Sequence, residues 1–511
     1  HNVVFLAPEI VNQGVVVAKA GKIVLMGGEV MTLDFEGDNL IQFAIEVPLK
    51  EGFIEQAGDL HAGVVAMKLS MAREVITTVL NVTGIVEAGH IEIENGMVRL
   101  LAGSTTETSH LDIHADQIAL NTKVETGTIE LAGKKIIQNG ELIAKKEVHY
   151  KADEIKIGHN IKTSGSITLD GPVVLFKNND ILFKANMFDK GNIVLTSTLD
   201  AESPMQKLTL LNPLSQTKIM GSIGQKGALG AMSIHSKGAI FNGDIAISGL
   251  LEVKAGVVEC NGLNYVTGSQ KWHKSHIQFT HPGPVVLKTS GGSLDAKHAP
   301  MVLKNKDGFT VQTVGGELQL SSIVSEFPQP VTIQTGKGKA YLQEIGGLVT
   351  QLHITGEEIN LDGKIKAGSV FMEAEQGIKY GHIREGVPIM TTVKSSGNVT
   401  INSKNNQVGT SNFPINVETP DTLFVGAHTE AYVKGSCAGG YAQVYEPNPP
   451  PFTVFNGHKT YFVFLPKSID ENENHLTIAH ALAHRFPTRF IHGMEMKPRH
   501  APIYYDSSSQ D

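Results

Sequence analysis

A short pattern returns along the chain and sets narrow limits on its fold: Gly, any residue, apolar, any residue, apolar. It stands as Gly21-Lys-Ile-Val-Leu25, Gly63-Val-Val-Ala-Met67, Gly96-Met-Val-Arg-Leu100 and Gly127-Thr-Ile-Glu-Leu131. It returns as Gly165-Ser-Ile-Thr-Leu169, Gly191-Asn-Ile-Val-Leu195, Gly243-Asp-Ile-Ala-Ile247 and Gly316-Glu-Leu-Gln-Leu320, and again at Gly368–Met372 and Gly397–Ile401. Gly171-Pro-Val-Val-Leu175 and Gly283-Pro-Val-Val-Leu287 are close variants. Glycine supplies a turn conformation that other residues avoid. The period of two then sets both apolar residues on one side of a short strand. The first six copies, opening at Gly21, Gly63, Gly96, Gly127, Gly165 and Gly191, are unevenly spaced. A propeller needs blades of even length and is disfavoured; some turns must lack the glycine or carry insertions. Helical periodicity is nearly absent, which argues against a leucine-rich horseshoe or a βαβ fold. The pattern predicts an all-β, right-handed parallel β-helix, a solenoid whose coils stack apolar residues in a dry column. An antiparallel β-sandwich array is the alternative, since turn signals also recur at sandwich-like intervals.

Composition supports a repetitive β structure. Glycine makes up 53 of 511 residues, aromatics only 6% and charged residues 18%. Val, Ile and Leu run throughout and the net charge is -8, so the chain is not disordered. The 43 basic residues against 51 acidic leave no basic excess for nucleic acid. No run of about 18 apolar residues could form a transmembrane helix. Two cysteines, Cys260 and Cys437, are too few for a disulfide scaffold, and two unpaired residues are expected. The first residue is His1, with no leader of signal-peptide form. The chain therefore reads as a processed product or an internal fragment, with any export signal upstream.

The first hundred residues carry a more specific look. Asn2-Val-Val-Phe-Leu-Ala-Pro-Glu-Ile-Val-Asn-Gln-Gly-Val-Val-Val-Ala18 is followed by Gly21-Lys-Ile-Val-Leu-Met-Gly-Gly-Glu-Val-Met-Thr-Leu33 and Leu40-Ile-Gln-Phe-Ala-Ile45. Related copies run through Glu55–Ala62 and Asn81–Ala88, and an echo lies at Gln407–Glu418 and Thr422–Ala427. Together these resemble the filamentous-haemagglutinin-like exoproteins, the adhesins exported by two-partner secretion. The resemblance implies a right-handed β-helix, export through an outer-membrane barrel partner and work at the cell surface. The Asn-Pro-Asn-Gly-type motifs of that family's first coils are absent here. The expected division is 1–100, coils resembling the second half of a secretion domain; 101–432, continuing β-helix; and 433–511, a small α+β extension that caps or couples.

In that extension, prolines cluster at Glu446-Pro-Asn-Pro-Pro-Pro-Phe452 and an apolar strand follows at Lys459–Pro466. Leu476, Ala479, Leu482, Ala483 and Phe486 fall at helical spacing and predict an amphipathic helix over 470–486. His480 and His484 stand at i, i+4 on it, with His475, His492 and His500 near in sequence. A zincin would need Glu directly after the first histidine, where Ala481 stands, so surface histidines are expected and no metal ligand is assigned. His110, Asp112, His114 and Asp116 alternate on one strand face, a ladder that could hold Ca²⁺ or act on a sugar. A solvated face is the plainer reading, because carboxylates of neighbouring coils cannot be paired from sequence. No Gly-x-Ser-x-Gly elbow or Walker loop is present.

These features lead to an expected non-enzymatic, secreted bacterial surface protein, an adhesin or a self-assembling filament subunit, with no catalytic residue and no cofactor. The expected partners are further copies joined head to tail, or a ligand on a host or neighbouring cell, together with the outer-membrane barrel transporter that the resemblance implies. The competing class is a β-helical polysaccharide lyase or hydrolase, which would lose activity when Asp112 or Asp116 is changed.

Overall fold

The computed structural model describes residues 123–177, 180–185, 191–380 and 391–410 continuously, with strand segments between residues 3 and 120 and between 413 and 481. Two compact units divide the chain, His1–Val258 and Glu259–Asp511. Each is a parallel β-solenoid.

One turn of the first unit shows the logic. Strand Leu142–Ile157 bends twice, so that 142–144, 148–151 and 155–157 lie on three successive faces. The next turn supplies Ile161–Thr163, Ile167–Asp170 and Val173–Leu175, each parallel to the segment one turn before it. The register offset is short where corners are tight, as in Val124 against Leu142, and longer where a turn intervenes, as over 202–206 between Leu195 and Ile219. The second unit repeats the scheme, with Val285, Phe309, Val331 and Leu352 following one another on one face.

The alternation decides which side chains are inside. Ile129 and Leu131, Ile167 and Leu169, Ile193 and Leu195, Ile245 and Ile247, Leu318 and Leu320 are all buried. Each pair supplies the two apolar positions of a Gly-x-apolar-x-apolar copy. Equivalent positions stack: Leu131, Tyr150, Leu169, Leu195, Ile219 and Phe241 hold one register column, and all are buried. Burial of whole apolar side chains at about 1.5–3 kcal/mol each makes such columns the main source of stability.

The uneven glycine spacing has a structural cause. Gly21 and Gly63 open the same face in consecutive described turns, since Lys22 pairs with Val64; the added length is an antiparallel hairpin, Val30–Glu36 with Leu40–Val47. The strand of the Gly96 copy lies on a different face, because Met97 pairs with Val79 and Gln117. Between Gly127 and Gly165 stands a whole turn, Val148 being the partner of both Ile129 and Ile167. There Lys146 stands in the glycine's place, two residues before Val148, and a Cβ on Gly165 would meet its carbonyl.

A second kind of corner appears in the other unit. Thr289, Thr313 and Thr335 are buried in one column, and each hydroxyl donates to a glycine carbonyl a short step along the chain. The partners are Gly292 at 2.6 Å, Gly316 at 2.7 Å and Gly338 at 2.7 Å. This hydrogen bond closes the turn from within and satisfies a buried hydroxyl.

Of the expected helix over 470–486, only His480 and Ala481 are described. They form a short strand antiparallel to Gly440–Tyr441. The remainder, with His475, His484, His492 and His500, lies outside the described residues, as does Cys437.

Candidate functional site

The outward positions of the strands form rows running from turn to turn. In-register parallel strands lie about 4.8 Å apart, so like charges in one row repel and opposite charges attract. The solenoid answers with acid beside base. Lys162 donates to Glu141 at 2.6 Å, and Lys135 lies 2.8 Å from Glu154. Lys156 meets Glu202 at 2.8 Å. In the second unit Lys379 and Lys339 lie 3.0 and 3.6 Å from Glu358, Lys404 lies 3.0 Å from Glu373 and 2.8 Å from Glu375, and Lys394 lies 2.7 Å from Glu418.

These ladders shift titration. The hydrogen bond from Lys162 holds the Glu141 carboxyl below its ordinary 4.5, and that from Lys135 does the same for Glu154. At Glu358 burial pushes upward, but hydrogen bonds from Lys379 and Asn360 with the nearby lysine charges outweigh it. The hydrogen bonds to Glu202 and to Glu375 and Glu373 raise Lys156 and Lys404 above 10.5. A depressed carboxylate gives stability above its unfolded value, lost as pH falls through the folded one; a raised lysine gives stability below its unfolded value, lost as pH rises through the folded one. Melting temperature is therefore expected to hold between about 4.5 and 10.5 and to fall on both sides. Added salt should flatten the change, since these pairs are largely exposed. Circular dichroism melts across pH measure it; a fall centred near neutrality would contradict the ladder account.

One stretch departs from the acid-beside-base rule. On one face Glu92 pairs in register with Asp112, Asp112 with Glu130, and Glu130 with His149. Three acids thus stand in consecutive turns. The His149 Nδ1 lies 3.8 Å from Glu130 Oε1, and both side chains are partly exposed. On another face of the same turns His61, Glu87, Glu107 and Glu125 follow one another, with Lys123 paired to Glu125.

The sequence ladder falls within this stretch. His110, Asp112 and His114 stand at alternate positions of strand Thr106–His114; Asp116 lies outside the described residues. Glu92 and Glu130 were not legible as their partners, because pairing depends on the lengths of two unequal turns, which only the register gives. Among the described side chains, no three of His, Cys, Asp or Glu converge as a metal centre requires.

Outward aromatic residues were also missed. His353 and Phe371 are register partners in the second unit, with ring centroids 4.6 Å apart and planes at 23°. Thr400 and then Phe424 continue the row. Beside it Gln312 donates to Gln334 at 3.3 Å and Asn402 to Glu373 at 3.2 Å. Cys260 is free and buried; burial pushes its thiol up to about 12, which makes it an inert core residue.

No helix among the described residues is long and apolar enough to cross a membrane. No protein-family model, no curated protein and no solved structure matches this chain.

Proposed function

We propose that the chain is a secreted, non-enzymatic bacterial surface protein of the filamentous-haemagglutinin type, an adhesin or a subunit of an extracellular filament. The observation that carries this reading is the row-forming solenoid surface. Faces that repeat outward Thr, Gln, Lys and Glu, with exposed His353 stacked on half-buried Phe371, suit recognition along a surface. The exposed Phe5, Val11, Val15 and Val17 of the first unit add apolar surface that association would cover. The motifs in 1–100 and near 407–427 support a right-handed winding, export through an outer-membrane barrel partner and residence outside the cell. Region 433–511 then serves as cap or coupler, following 1–100 and 101–432. A head-to-tail contact between unlike ends does not close and yields a filament.

Negative-stain microscopy of the purified chain over a concentration series tests assembly. Long uniform fibres are the filament outcome, and removal of 433–511 should then stop growth. Discrete rods at every concentration sink the filament reading and leave the adhesin, for which glycan-array binding is the next measurement.

One observation favours a second reading, a β-helical polysaccharide lyase or hydrolase. The register of Glu92, Asp112 and Glu130 offers the neighbouring-turn carboxylates that such an enzyme needs. Cleavage of an acidic polysaccharide that is lost in Asp112→Asn would establish it.

A further inference from the structure

We infer that the face carrying His353, Phe371, Phe424 and Asn402 in the second unit binds an uncharged glycan, with pyranose rings laid against the aromatic side chains. This names the ligand class of the adhesin reading and rests on it.

The site begins with an outward row. His353 is followed turn by turn by Phe371, Thr400, Phe424 and Tyr441. Three of those four successors are Phe or Tyr in a chain that is only 6% aromatic, so composition alone does not account for the row. His353 is exposed, and Phe371, Thr400 and Phe424 are half-buried. The His353 and Phe371 rings stack at 4.6 Å, with Thr332 at the register position before His353 and Thr400 at the one after Phe371. The outer face of each ring therefore borders a short side chain rather than another ring. Phe424 leans along its own strand instead. A Cβ on Gly426 would stand 3.5 Å from Phe424 Cε1 and 2.3 Å from Asn402 Oδ1, so the missing side chain leaves room for the ring and the amide over the strand.

Polar groups flank the rings at a two-residue rise of about 6.6 Å. Thr355, Glu373 and Asn402 follow one another in the next outward row. Glu373 is the one charged residue of the three, and both its oxygens are engaged: Oε1 lies 3.0 Å from Lys404 Nζ, and Oε2 accepts from Asn402 at 3.2 Å. Lys404 is held in turn by Glu375 at 2.8 Å. Sulfate or uronate would need an unpaired cation beside the rings, and Lys404 is already taken. The amide and hydroxyl side chains offer donors and acceptors without charge. A pyranose matches this chemistry. Its C–H face is apolar and slightly positive at the hydrogens, which suits the negative face of an aromatic ring, and its hydroxyl rim takes hydrogen bonds from the side chains alongside.

The test is binding of the fluorescently labelled full chain to an array of uncharged hexose and N-acetylhexosamine oligosaccharides, set beside sialylated, sulfated and uronate chains. Uncharged members are expected to bind. Phe371→Leu and Phe424→Leu keep apolar bulk but remove the ring, and each should weaken binding about tenfold or more, whereas Phe424→Tyr should retain it. Binding of acidic chains alone would overturn the inference, as would equal binding by wild type and the double Phe371→Leu, Phe424→Leu chain. A chain that binds no glycan yet still coats cultured cells would overturn it and leave the adhesin reading standing; a chain that does neither would end both. A readout on the unaltered chain guards against variants that fail to fold: the bound oligosaccharide should protect Phe371 and Phe424, but not Tyr341, exposed on another face, from hydroxyl-radical oxidation scored by peptide mass spectrometry. Equal oxidation with and without the oligosaccharide would again overturn the inference.

Discussion

Gly316→Ala is expected to destabilise the second unit by about 3 kcal/mol, the upper range for overpacking. A Cβ at this corner would sit 1.9 Å from the Gly292 carbonyl oxygen and 2.4 Å from its carbon. Those are backbone atoms of the turn next to it, so no side chain can swing aside. The next turn is no freer: a Cβ at Gly338 would meet the Gly316 oxygen at 2.0 Å, and one at Gly292 would meet the Gly268 oxygen at 2.3 Å. Relief would mean prising turns apart at the place where the Thr313 hydroxyl holds the Gly316 carbonyl. Gly238 is the control in the first unit. Its Cβ would find only ordinary contacts, at 3.6 and 3.7 Å, and Gly238→Ala should change stability by no more than about 0.5 kcal/mol. Urea unfolding of the two variants measures the contrast. Equal stability would show that the corners are looser than the stacking requires.

Leu169→Ala is expected to cost about 2–5 kcal/mol, the loss for a buried leucine whose site cannot collapse. Leu169 lies between Tyr150 and Leu195 in the apolar column, with Leu131 and Ile219 beyond them, all fully buried. Both neighbours lose packing surface, and strands locked by hydrogen bonds on each side cannot close the gap. The adjacent outward position gives the control: Val194→Ala removes a partly exposed side chain and should cost less than about 1 kcal/mol. A solenoid passes strain only to neighbouring turns. Amide exchange should therefore quicken most in 142–219 and least in 231–247. Uniform quickening through the first unit would mean that its turns unfold as one block.

The alternation of apolar residues was readable without coordinates, because a period of two leaves little choice of face. Ile167 and Leu169 were legible as core for that reason, as were Val399 and Ile401. Which corner each glycine serves was not legible. The Gly96 and Gly127 copies look alike in sequence, but their strands Met97–Leu100 and 128–131 lie on different faces, and the hairpin Val30–Val47 lengthens one turn without altering its strands. The threonine corner did leave a signal, Thr289-x-Gly-Gly292 and then Thr313-x-Gly-Gly316 one turn later, which the glycine pattern obscured. For the candidate site, His110, Asp112 and His114 were found on one strand from their alternation. The partners Glu92 and Glu130 depend on turn length, and His353 with Phe371 on register, neither of which local sequence carries.

The parallel, in-register stack of turns is tested most directly by spin-label distances along one outward row. Glu130, His149, Thr168, Val194, Lys218 and Ile240 hold consecutive register positions in the first unit. With Cys437→Ser and buried Cys260 left in place, labels at 130 and 194 span three turns and labels at 130 and 240 span five. Electron–electron double resonance should give about 14 Å for the first pair and about 24 Å for the second, in steps of about 4.8 Å per turn. Distances that fail to grow with turn number, as two packed antiparallel sheets would give, would contradict the solenoid.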